Sequence, residues 1–144
     1  STLSSSSAAS DVYKRQCIDP EAEHQRSAKT AFREAGYAPS RGRFLPSRPL
    51  EVMGRLANDA YQVIYADVAA LELPAIIKAA WPLLHQGGTL VLANSLLDGT
   101  LADVSRTDRD TAAAREADEY LRELEGANVT RLPLGSGLTL VTKL

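Results

Sequence analysis

Residues Tyr61 to Ala66 read YQVIYA, a nearly unbroken β-prone run that stops at Asp67. Strands of this composition belong to parallel sheets covered on both faces, whereas one-sided antiparallel strands alternate apolar with polar residues. A parallel strand reaches its neighbour through a long crossover, usually a helix. The run therefore commits the chain to alternating strands and helices.

The flanking sequence keeps to that alternation. Ala28, Ala31, Phe32 and Ala35 fall at i, i+3, i+4 and i+7 of a helix that begins near Pro20 and stops at Gly36, behind a short strand opened by Cys17. Asp19 is placed to cap that helix, and Pro20 suits its first turn. Arg43 to Leu45 reads as a strand, and Pro49 to Ala57 as a helix with Leu50, Met53 and Leu56 inward. A further helix from about Leu73 to His85 carries Ile76, Ile77, Ala80, Trp81 and Leu84, and Gly87-Gly88 ends it before a strand from Thr89 to Ala93. Pro82 lacks an N–H and crowds the carbonyl four residues back, which predicts a kink or a loosened turn near Lys78.

A loop from Asn94 to Arg106 precedes a long helix lined by Ala113, Ala117, Tyr120, Leu121 and Leu124, with Thr107 or Asp108 as its cap and Gly126 just beyond it. The last two runs, Val129 to Leu132 and Leu138 to Thr142, are joined by five residues with two glycines, which predicts an antiparallel hairpin. The expected fold class is α/β: a Rossmann-like, mostly parallel sheet with helices on both faces and a C-terminal antiparallel hairpin.

The first sixteen residues fit none of this. They are rich in serine and without periodicity, and Asp11 to Gln16 back-translate in frame to GATGTGTATAAGAGACAG, the mosaic end of transposase-based sequencing adapters. Residues 1–16 are therefore expected to be a non-native, disordered tail, with residues 17–144 as one partial domain from which the first strand and its glycine-rich loop have been lost. Removing the tail from 144 residues leaves 128, the size of a single domain.

Composition narrows the function classes. An apolar fraction of 44% suffices for a packed core. The formal charge of −2 includes Asp11, Lys14 and Arg15, without which the chain carries −3 and offers no basic footprint for nucleic acid. A single cysteine, Cys17, excludes an internal disulfide, and no apolar run approaches the length of a membrane span. A cytoplasmic setting with neither nucleic-acid nor membrane partners fits.

In open α/β sheets, ligands sit beyond the carboxyl ends of the strands, at the point where strand order reverses. Asp19, Asp67 and Asn94 each follow a strand, and the expectation is that they share one crevice. A carboxylate after the second strand of such a fold can accept two hydrogen bonds from a ribose diol, although Asp19 also suits plain helix capping. His24 and His85 read as a solvated helix residue and a helix C-terminal cation, and Cys17 as a buried strand residue.

These residues resemble a known family, the class I S-adenosylmethionine-dependent O-methyltransferases of the catechol and caffeoyl-CoA type, in particular small actinobacterial members. The likeness is carried by CIDPEAEHQRSAKTAFREAG, RPLEVMGRLANDAYQVIYAD, PLLHQGGTLVLANSLLDG and LPLGSGLTLVTKL, in that order. The resemblance implies S-adenosylmethionine as cofactor, methyl transfer to a small-molecule hydroxyl, and dimer formation. It implies that Asp19 binds the cofactor ribose, that Ser47-Arg48-Pro49 flanks the adenine, and that Asp67 is both a cofactor contact and the candidate catalytic group.

Departures from the family pattern matter. Arg48 stands where an acid is common, Ala93 replaces one metal carboxylate, and Ala70 falls where metal-dependent relatives place a lysine base. With Asp67 and Asn94 alone, a hard divalent cation lacks its usual oxygen set, so a divalent metal is doubtful. Without the glycine loop, the chain is expected to bind the methyl donor weakly or not at all and to be inactive. Two rivals stay open: a catalytically silent relative retained for binding or dimerisation, and a nicotinamide-dependent dehydrogenase.

Overall fold

The computed structural model describes residues 15–144, so residues 1–14 of the expected tail lie outside the described residues. Two compact units divide at Val52 and Met53.

The first unit contains strand β1 (Arg15–Ile18), helix α1 (Ala22–Glu34) and strand β2 (Gly42–Leu45). β1 and β2 pair in parallel, with Cys17 opposite Phe44 and Ile18 opposite Leu45. β1 begins two residues before Cys17, because Arg15 and Gln16 find ladder partners in Gly42 and Arg43. Helix α1 starts later than its sequence suggests. Glu21 holds the N-cap position without a side-chain cap bond, and Asp19 turns back to accept from the Glu21 N–H instead. The face of α1 that is inward is Gln25, Ala28 and Phe32; Ala31 and Ala35 are exposed. Phe32 packs edge-on against Phe44 with ring centroids 5.9 Å apart and lies 5.0 Å from Tyr37.

Helix α2 (Pro49–Met53) stops short of Ala57, because Gly54 comes next. Met53 is buried and Leu56 packs against the core, whereas Leu50 is exposed.

In the second unit, strands β3 (Tyr61–Ala66), β4 (Leu84–Ala93), β5 (Ala127–Leu132) and β6 (Leu138–Lys143) form a sheet in the order β3-β4-β6-β5. β3 and β4 run parallel, and the closing hairpin is antiparallel as expected, with β6 inserted beside β4. Helix α3 (Leu73–Ala80) ends before Pro82 rather than kinking: Trp81–Leu83 form a single 3-10 turn, and Leu84 already pairs with Tyr61. His85 and Gly87-Gly88 therefore lie within β4, where the register shifts between the Tyr61 and Val63 pairs. A Cβ on Gly88 would come within 2.8 Å of the Tyr61 carbonyl oxygen, so the strand needs glycine there. Helix α4 (Arg109–Glu123) is capped by Asp108, whose carboxylate accepts from the Thr111 backbone N–H at 3.1 Å.

Helices α3 and α4 cover one face of this sheet. Ile77, Leu90, Leu92, Ala117, Leu121 and Val141 form one buried cluster there. The opposite face of β3 departs from the two-sided burial its composition suggests: Val63 is 64% and Tyr65 63% exposed. Their apolar character thus serves no packing within the described residues. Leu90→Ala is expected to cost about 2–5 kcal/mol in a urea titration, and Tyr65→Ser no more than about 0.5 kcal/mol. Comparable losses at both positions would contradict one-sided packing.

Candidate functional site

Each unit gathers its own polar groups at the carboxyl ends of its parallel strands. In the first unit the convergence point is the Leu45 carbonyl at the end of β2. It accepts from the Asp19 N–H at 3.2 Å, the Ser47 N–H at 2.9 Å and Gln25 Nε2 at 3.0 Å. Gln25 is 5% exposed, and its Nε2 also lies 3.1 Å from the Cys17 carbonyl and 3.0 Å from that of Asp19. One buried amide thus ties together the ends of β1 and β2, and with them Asp19 and Ser47. The Arg48 carbonyl accepts from the Glu51 N–H and opens α2. Asp19, Ser47 and Arg48 are therefore brought together within one unit.

The Asp19 carboxylate is held at both oxygens. Oδ1 accepts from the Glu21 N–H at 2.8 Å, and Oδ2 lies 3.0 Å from His24 Nδ1. The Glu21 bond and the His24 contact hold its carboxyl below the ordinary value of 3.8. Sequence reasoning places His24 on a solvated helix face and misses this contact. The signal that could have found it is the Asp-Pro-Glu-Ala-Glu-His spacing, which returns the sixth residue of a strand-to-helix turn toward the first. Cys17 beside this site is half-buried, and burial pushes its thiol up.

In the second unit, Asp67 comes after β3 and Asn94 after β4. Asn94 Nδ2 donates to Asp67 Oδ1 at 3.0 Å, so the two predicted groups meet. Asn94 is left-handed, with φ of 55°, as are Leu97 at 47° and Asp98 at 56°. That loop is tied to the β5–β6 turn: the Ser95 and Leu96 N–H groups donate to the Gly137 and Ser136 carbonyls. Ser136 Oγ also donates to Asp98 Oδ1 at 2.8 Å, and Ser95 Oγ lies 2.7 Å from Thr139 Oγ1. Gly137 is needed for the approach, since a Cβ there would lie 2.4 Å from Leu96. Arg115 on α4 braces the same loop through the carbonyls of Leu101, Asp103 and Arg106. Arg115 carries no sequence signal.

The donors around Asp67 do not fit a hard divalent cation. Asn94 presents its amide nitrogen to the carboxylate, which fills one lone pair with a proton donor, and Ala93 supplies no oxygen from its side chain. His85, predicted at a helix C-terminus, sits in β4 with Nδ1 against the Gln86 carbonyl.

The model of the O-methyltransferase family matches residues 2–144. A Mycolicibacterium vanbaalenii protein bearing an O-methyltransferase name is 39% identical over 121 residues, which is 84% of this chain and 54% of that protein. A crystal structure of a Corynebacterium glutamicum protein is 66% identical with a TM-score of 0.87, covering 90% of this chain and 60% of that one. The O-methyltransferase TomG of Streptomyces achromogenes, solved with S-adenosylmethionine, shares the fold at 22% identity with a TM-score of 0.79, covering 90% of this chain and 61% of TomG. The chain belongs to the O-methyltransferase family. It spans a little over half the length of the relatives it matches.

Asn94→Gly is expected to leave stability within about 0.5 kcal/mol, whereas Asn94→Val is expected to cost about 1–2 kcal/mol, because a β-branched residue resists left-handed φ. Equal denaturation midpoints for the two variants would contradict the loop geometry. The pH dependence of Asp19 has a defined sign. Its folded pKa lies below the unfolded one, so its contribution to stability is present above the unfolded value and fades as pH falls through the folded value. Its carboxyl carbon resonance is expected to titrate below 3.8, and a midpoint at or above that value would contradict the bonding described.

Proposed function

We propose that the whole protein transfers a methyl group from S-adenosylmethionine to a small-molecule hydroxyl. In this reading Asp19 receives the ribose hydroxyls, Ser47 and Arg48 flank the adenine, and Asp67 serves cofactor and acceptor. The observation that carries it is the convergence of Asp19 and Ser47 on the Leu45 carbonyl. The carboxylate there keeps one lone pair on each oxygen for a diol after satisfying Glu21 and His24. TomG, which shares the fold, was solved with S-adenosylmethionine.

The chemistry asks little of acids and bases. An oxygen lone pair of the acceptor attacks the methyl carbon in line, the carbon–sulfur bond breaks, and its electron pair stays on sulfur to leave S-adenosylhomocysteine. Holding the methyl about 3 Å from the nucleophile supplies much of the acceleration. Asn94 occupies Oδ1 of Asp67, so Oδ2 is the oxygen that orients the acceptor hydroxyl and takes its proton. We assign the 144-residue chain alone no turnover, because the family's glycine-rich cofactor loop finds no counterpart in its sequence. The net negative charge supports a small-molecule partner rather than nucleic acid, and the single cysteine fits a cytoplasmic setting.

A second reading, a catalytically silent relative, is favoured by Ala93, Ala70 and Arg48 standing where the family carries functional groups. Calorimetry of the whole protein separates the readings. Heat with S-adenosylmethionine and none with nicotinamide dinucleotide is expected, with Asp19→Ala weakening the binding about 10- to 100-fold. Asp67→Asn is expected to lower kcat about 10- to 1000-fold and, since Asp67 also contacts the cofactor in this reading, to weaken the cofactor Kd by up to about tenfold. Heat with neither ligand would leave the silent reading, and heat with the dinucleotide alone a dehydrogenase.

A further inference from the structure

We propose that His24 is a positioning residue for the methyl donor, holding the Asp19 carboxylate in the orientation that receives the ribose diol. This deepens the reading above and rests on it. Asp19 sits in an exposed turn between β1 and α1, with its side chain 40% exposed, and the His24 side chain is 67% exposed. A free aspartate in such a turn samples three staggered χ1 wells and a broad χ2. Here the Glu21 N–H at 2.8 Å fixes Oδ1 and the His24 ring at 3.0 Å fixes Oδ2, so the plane of the carboxylate is set from both sides. Removing His24 leaves one oxygen tethered and the plane free to turn.

The pair is poorly explained as a stabilising device. Exposed ion pairs contribute little to folding, and the His24 ring lies mostly in solvent. Its effect falls instead on binding, where a carboxylate already oriented gives up less freedom when the diol arrives. Nδ1 is the donor in this arrangement, so the ring carries a proton there in either the neutral or the charged form, and Nε2 faces away from Asp19. An asparagine at the same position can offer its amide nitrogen in place of Nδ1, which supplies a conservative rescue.

The test uses the whole protein, with S-adenosylhomocysteine as the probe and Kd read by calorimetry. His24→Ala is expected to weaken binding about three- to tenfold with Tm unchanged, and His24→Asn to return Kd to within about twofold of the parent. In an Asp19→Asn background, His24→Ala is expected to add nothing, because the two residues act as one unit. Parent affinity in His24→Ala, with Asp19→Asn weakened, would overturn the positioning role while leaving the ribose reading intact. Additive losses in the double variant, or failure of His24→Asn to rescue, would equally overturn it. Parent affinity in Asp19→Asn, or no binding by the parent, would overturn the ribose reading itself and the inference with it.

Discussion

The Leu45 carbonyl is where the first unit is decided. A short parallel pair of four-residue strands has few ladder bonds of its own, and its carboxyl end would fray without an added tie. Gln25 supplies that tie from the buried face of α1. Its amide has two protons for three carbonyls, those of Cys17, Asp19 and Leu45, so one contact is shared rather than full. Its Oε1 is buried without a partner among the described residues. A polar group is kept inside at some cost, and the positions it orders are those to which the ribose and adenine contacts are assigned.

The second unit rests on apolar burial. Packing of α3 and α4 against Leu90, Leu92 and Val141 holds the sheet from one side, and the parallel pairing of β3 with β4 puts Asp67 beside Asn94 at adjacent strand ends. The loop after β4 is firmly held. Of its three non-glycine residues in left-handed conformation, Asn94 and Asp98 belong to types that tolerate it, and at Leu97 it costs about a kcal/mol or more; the loop is fastened by the hairpin turn and by Arg115. Strain of this kind persists only where the surroundings over-determine it, and here it surrounds the residue that donates to Asp67.

Much of this architecture is legible in the sequence, and the reasons are particular. YQVIYA and the five-residue loop between the last two strands announce themselves through β-propensity and turn chemistry, and Asp108 is one of the two caps that the sequence offers α4. Where sequence and structure part, a local signal is overridden by pairing. Arg15 and Gln16 join β1 because β2 offers ladder partners. Pro82 ends α3 because the chain can pass at once into β4. Ala31 and Ala35 mark an apolar stripe on α1, yet the residue buried there is Gln25, whose partners are carbonyls distant in sequence. At the site, Asp19, Asp67 and Asn94 are legible as strand-terminal polar residues. His24 and Arg115 are not, since a contact across a turn or from a helix to a loop leaves no periodicity.

In the proposed function Asp19 is a ribose receptor rather than a mere turn residue, and the other assignments depend on it. A crystal structure of the whole protein with S-adenosylhomocysteine tests it most directly. Both ribose hydroxyls are expected within hydrogen-bond distance of the Asp19 carboxylate, with the contacts to Glu21 and His24 retained. Ribose held by another acid, with Asp19 turned only toward Glu21 and His24, would contradict it.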